Sequence, residues 1–85
     1  MIFYSLQPNP FSEYTNLRFE MPTEGTAILK VYDLTGKNLH TMDVKCVQGI
    51  NELRISKKDL ATDGLMYYVL SSAFGTISDR MIVLE

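Results

Sequence analysis

The sequence predicts an all-β fold, a small immunoglobulin-like antiparallel β-sandwich of about six or seven strands. Apolar residues recur at period two along most of the chain, and no stretch keeps a helical apolar period for three turns. Pro, Gly, Asn and Asp interrupt that alternation at spacings of roughly ten residues, as sandwich turns do. The 85 residues are 46% hydrophobic and 21% charged, which suits one domain with one modest core. A single domain over residues 1–85 follows.

The opening Met1-Ile2-Phe3-Tyr4-Ser5-Leu6 has no basic flank and is shorter than a signal-peptide core. It is assigned no strand. In Leu6-Gln7-Pro8-Asn9-Pro10-Phe11-Ser12, two prolines fix backbone dihedrals around Asn9 and remove two N–H groups from any ladder. The result is a rigid loop that aims Phe11 at a fixed place. Residues 15–21 then alternate cleanly, with Leu17, Phe19 and Met21 on one face and Asn16, Arg18 and Glu20 on the other.

Pro22 to Gly25 ends that strand. In residues 26–32, Ala27, Leu29 and Val31 form the inward set, opposite Ile28, Lys30 and Tyr32. Asp33-Leu34-Thr35-Gly36 reads as a turn, because the Asp33 carboxylate can accept from nearby N–H groups and Gly36 supplies backbone freedom. The hairpin strand over residues 38–47 breaks its own alternation. Leu39 belongs to one face and Met42, Val44 and Cys46 to the other, so a β-bulge is expected near Thr41.

After Gln48-Gly49, residues 50–55 place Leu53 and Ile55 inward. Ser56-Lys57-Lys58-Asp59-Leu60-Ala61 reads as a crossover loop, at most one 3₁₀ turn, with Leu60 dropping into the core. Residues 65–70 are apolar on both faces, so alternation cannot choose the inward side and the strand is expected to be central. Phe74-Gly75-Thr76 turns the chain into a last strand whose inward set is Ile77, Met81 and Val83.

Composition excludes several functions. The eight Lys and Arg are outnumbered by ten Asp and Glu and form no stripe, which argues against nucleic-acid binding. No apolar run is long enough to span a membrane, so direct membrane insertion is not expected. His40 and Cys46, the one His and the one Cys, fall on one strand too far apart to share a metal. Cys46 is expected to be a free thiol on a strand, and His40 a surface strand residue.

No nucleophile, base and orienting group recur at a catalytic spacing, and the acids sit in turns or on outward positions. No catalytic residue, cofactor or metal site is therefore expected. Of the adjacent Tyr67 and Tyr68, one has to point outward. Beside Tyr32 or Tyr4, that ring could form a platform for stacking on sugars.

Several motifs occur in a fixed order: Pro8-Asn9-Pro10-Phe11, Asn16-Leu17-Arg18-Phe19, Val31-Tyr32-Asp33-Leu34-Thr35-Gly36-Lys37, Gly49-Ile50-Asn51-Glu52-Leu53, Asp59-Leu60-Ala61 before Gly64, and Arg80-Met81-Ile82-Val83-Leu84. In this order, across essentially the whole chain, they resemble the C-terminal sorting domains of the type IX secretion system of Bacteroidetes. The resemblance implies a β-sandwich attached behind an N-terminal cargo. Its implied partners are the outer-membrane translocon and a sortase-like peptidase that removes the domain and joins the cargo to a surface lipopolysaccharide. It also implies a secreted or cell-surface destination through the periplasm, with a signal peptide upstream of this chain.

The family signal concentrates toward the C-terminus, which here means Gly64 and the strand Arg80, Met81, Ile82 and Val83. An edge strand there would offer unpaired backbone groups to a receptor. Two positions depart from the family pattern: Met66 stands where Tyr is usual, and Glu85 where a terminal Lys or Arg is frequent. Met1 and Leu84-Glu85 also match residues that a start codon and a common vector junction add. The alternatives are a structural or carbohydrate-binding module of a larger extracellular enzyme, and an immunoglobulin-like domain similar to that of the flagellar hook-capping protein. The latter usually carries Trp-Asp-Gly, and this chain has no Trp.

Overall fold

The computed structural model describes residues 1–85. Seven strands appear in the order β1 (Ile2–Gln7), β2 (Tyr14–Met21), β3 (Gly25–Tyr32), β4 (Asn38–Cys46), β5 (Gly49–Ser56), β6 (Gly64–Ser72) and β7 (Gly75–Val83). They form two antiparallel sheets, β1-β2-β5 and β4-β3-β6-β7. The shortest dimension is 17 Å, enough for two sheets packed about 10 Å apart and not for a third layer. The molecule is a β-sandwich.

The core follows the alternation. Leu17, Phe19 and Met21 from β2, Ala27, Leu29 and Val31 from β3, Leu53 and Ile55 from β5, and Ile77, Met81 and Val83 from β7 are all buried. On β6 the structure decides what alternation could not: Met66, Tyr68 and Leu70 face in, and Leu65, Tyr67 and Val69 face out. β6 pairs with β3 on one side and β7 on the other, so it is an interior strand.

Four expectations need correction. The opening segment is a strand, β1, which pairs with β2 at the sheet edge. Its register slips between Phe3 and Ser5, and that irregularity removes the alternation by which a strand is read. Residues Lys57–Leu60 form one α-helical turn in place of a loop. It stops where Ala61 takes a left-handed backbone (φ 58°) and its N–H donates to the Lys57 carbonyl.

The β4 bulge expected near Thr41 falls two residues earlier, at Leu39, since Val31 pairs with His40 and Tyr32 with Asn38. The Asn38 side-chain amide fills the irregularity by donating to the carbonyls of Val31 (3.2 Å) and His40 (3.1 Å). Leu39 can then pack against the same core as Met42, Val44 and Cys46. With the bulge at Leu39, His40 stays in phase with Met42, Val44 and Cys46 and lies on the face of Val31, so it is half-buried and not a surface residue. Cys46 is a free, buried thiol, and burial raises its pKa.

Two side chains under the sheets give tests of this packing. Leu60 drops from the helical turn into the core at 1% exposure. Leu60→Ala should cost about 2–5 kcal/mol in urea unfolding through the cavity it leaves. The Tyr68 hydroxyl is buried with no hydrogen-bond partner, and burial, reinforced by the Asp79 charge, pushes its pKa up to about 12. Tyr68→Phe removes an unsatisfied polar group at nearly constant shape and should raise stability by about 1 kcal/mol in the same measurement.

Candidate functional site

β7 lies at the edge of its sheet, where each second residue turns its N–H and C=O away from β6. From Arg80 onward those groups are not free. Asn9 Oδ1 accepts from the Ile82 N–H at 2.9 Å, and Asn9 Nδ2 donates to the Arg80 carbonyl at 3.4 Å. The Phe11 N–H donates to the Ile82 carbonyl (3.0 Å), and the Phe11 carbonyl accepts from the Leu84 N–H (2.8 Å). Phe11 and Val83 thereby form a parallel bridge.

Neighbouring groups complete the set. The Arg80 N–H donates to the Asp79 carboxylate (2.7 Å), and Lys57 Nζ donates to the Leu84 carbonyl (2.7 Å). Each edge-facing backbone group from Arg80 to Leu84 thus has a partner. This corrects the expectation of an unpaired terminal edge. By the same alternation, Thr76 and Ser78 are the edge-facing residues of β7 that the loop leaves uncovered.

The loop is built for this contact. Pro8 and Pro10 have no N–H to offer, and the Asn9 side chain and the Phe11 backbone are what reach β7. Phe11 anchors the loop with its ring 1% exposed in the core. Burying such a side chain contributes roughly 2–3 kcal/mol, which holds the loop against the strand.

The residues singled out in the sequence fall into two groups. Asn9 and Phe11, flanked by Pro8 and Pro10, meet Arg80, Ile82 and Val83 along this edge, Met81 points from the same strand into the core, and Gly64 pairs with Val83 from the opposite side. Met81 and Val83 are core residues, whereas Arg80 and Ile82 face solvent. Asn9, Leu65, Asp79, Arg80 and Ile82 line a shallow recess of about 370 Å³.

Asp33 and Gly36 stand apart, in the β3–β4 turn, with β6 between β3 and β7. Asp33 Oδ1 accepts from the Thr35 hydroxyl (2.6 Å), the Lys37 N–H (3.0 Å) and the Thr35 N–H (2.9 Å). These bonds, the Thr35 hydroxyl first, hold its carboxyl below the usual carboxylate range. Gly36, at φ 89°, closes the turn by donating to the Asp33 carbonyl. The role of this pair is local.

Two features were not readable in the sequence. Lys57 reaches Leu84 across the sandwich end, and nothing in Ser56-Lys57-Lys58 signals that contact. The largest concavity, about 640 Å³, opens beside it and sets Arg54, Lys57 and Lys58 against Glu13 and Asp63, with the Arg54 guanidinium 3.9 Å above the Tyr14 ring. Tyr67 is the outward member of its pair and stacks on Tyr32 with centroids 5.2 Å apart. Tyr4 lies on the other sheet and donates to Glu20.

Residues 5–84 match the family model described as secretion system C-terminal sorting domain. No curated protein and no solved structure matches the chain. The match includes both the proline loop and the strand that it covers. The chain therefore belongs to the C-terminal sorting domains of the type IX secretion system.

Proposed function

We propose that this domain is a non-catalytic export signal which directs a cargo attached at its N-terminal side from the periplasm through the outer-membrane translocon. A sortase-like peptidase then acts on the exported protein. The family itself is one of sorting signals that act with the type IX machinery to send an attached protein to the surface or medium. The observation that carries the finer reading is the division of β7 by period two. Met81 and Val83 hold the strand in the core, so Arg80 and Ile82 are the side chains it presents outward. Recognition centres on these two, beside Leu65, with Gly64 fixing the neighbouring backbone.

A second reading, a carbohydrate-binding module, draws support from the Tyr32–Tyr67 stack. It predicts sugar affinity lost on Tyr67→Ala.

The test is export of a reporter carrying a periplasmic signal peptide and this domain at its C-terminus, in a bacterium with a working type IX system. Deleting residues 75–85 would strip Ile77, Met81 and Val83 from the core, so the informative variant is the surface pair Arg80→Glu and Ile82→Asp. The unaltered fusion should reach the surface or medium, and the variant, folded to the same extent, should be exported at least about tenfold less, the scale of losing a hot-spot contact. Retention of both folded fusions in the periplasm would contradict the sorting role. Equal export of both would move recognition away from Arg80 and Ile82.

A further inference from the structure

The contact between the Asn9–Phe11 segment and β7 has the form of strand addition made within one chain. The bent proline loop meets β7 in a single parallel bridge, where Phe11 exchanges two backbone hydrogen bonds with the strand. Asn9, one position earlier in the ladder, replaces a backbone amide with its side-chain amide, accepting from Ile82 and donating toward Arg80. A partner that reads an edge strand through its backbone would use these same groups. They are already occupied.

We propose that the Arg80–Leu84 edge of β7 is a strand-acceptor site kept closed by the Asn9–Phe11 segment, which acts as a displaceable gate. The partner that fits is an extended peptide segment laid parallel to β7. It carries a side-chain amide facing Ile82 and, two residues later, an aromatic group that can take the place of Phe11. This deepens the proposed function, resting on β7 as the recognised strand, and makes recognition depend on how often the gate opens.

The bond lengths indicate where the gate is weakest. The Asn9 Nδ2 bond to Arg80 is the longest of the four at 3.4 Å, and Asn9 is exposed, whereas Phe11 is held by the core. Opening therefore starts at Asn9. Without the Asn9 side chain, Phe11 still anchors the loop, so the gate can loosen while the fold persists. Losing both Asn9 hydrogen bonds would raise the open population by about tenfold.

The probe is a synthetic peptide with the sequence of residues 5–12, titrated into the full chain while the amide resonances of Ile82 and Leu84 are followed by NMR. Asn9→Ala should bind the peptide about tenfold more tightly than the unaltered chain, with shifts concentrated at Ile82 and Leu84. Asn9→Asp, which keeps the acceptor and loses the donor, should fall between them and serves if Asn9→Ala does not fold. Equal affinity for the unaltered and substituted chains, or shifts elsewhere only, would overturn the gate. Because the titration uses the isolated chain, failure of export with a positive titration counts against the sorting role alone, and the reverse result against the gate alone.

Discussion

The unpaired edge of a β-sheet is a physical liability, and the way this domain closes one edge organises the rest of its structure. Backbone N–H and C=O groups want partners, and an exposed row of them invites another strand. At the end of β7 the partners come from the opposite end of the sequence, in Asn9 and Phe11, with Lys57 closing the last carbonyl. That arrangement needs a rigid loop without competing donors, which Pro8 and Pro10 supply, and an anchor, which the buried Phe11 ring supplies. It also joins the two ends of the chain. The last strand holds this geometry only when the first part of the chain has packed.

Sequence reasoning succeeded where one physical rule acted alone. In β2, β3 and β5, burial on one face imposes period two, and the inward residues read from the sequence are those that are buried. It failed where a second constraint competed. The slip in β1 and the bulge at Leu39 each insert a residue that shifts the phase, so alternation lost β1 and set Leu39 on the wrong face, whereas His40, in phase with Met42, Val44 and Cys46, was misjudged by its residue type. On β6, large residues on both faces left the choice to contacts with the opposite sheet. The helical turn at Lys57–Leu60 is too short to show a period, although Leu60 as its core residue was legible.

The closed edge of β7 was half legible. Pro8-Asn9-Pro10-Phe11 stood out by its dihedral restrictions, and Arg80 to Val83 by resemblance, but no rule of local sequence joins segments about seventy residues apart. Their union also changes how the terminal motif is read. Met81 and Val83 are there because the core requires apolar residues at those positions, so they are explained by packing before recognition is considered. Under the proposed sorting role, a partner would meet Arg80, Ile82 and a backbone edge that the domain's own loop occupies. On that proposal the signal is read from a folded surface and not from a linear tag.

Amide hydrogen exchange on the unaltered chain tests the central claim, that the proline loop closes the edge of β7. The Ile82 and Leu84 amides, bonded to Asn9 and Phe11, should be protected comparably to those of Ile77 and Met81, which face β6. The Thr76 and Ser78 amides, on the uncovered part of the same edge, should exchange about tenfold faster or more, the scale of one missing hydrogen bond. Exchange at Ile82 and Leu84 as fast as at Thr76 and Ser78 would mean that the edge is open in solution and would contradict the account.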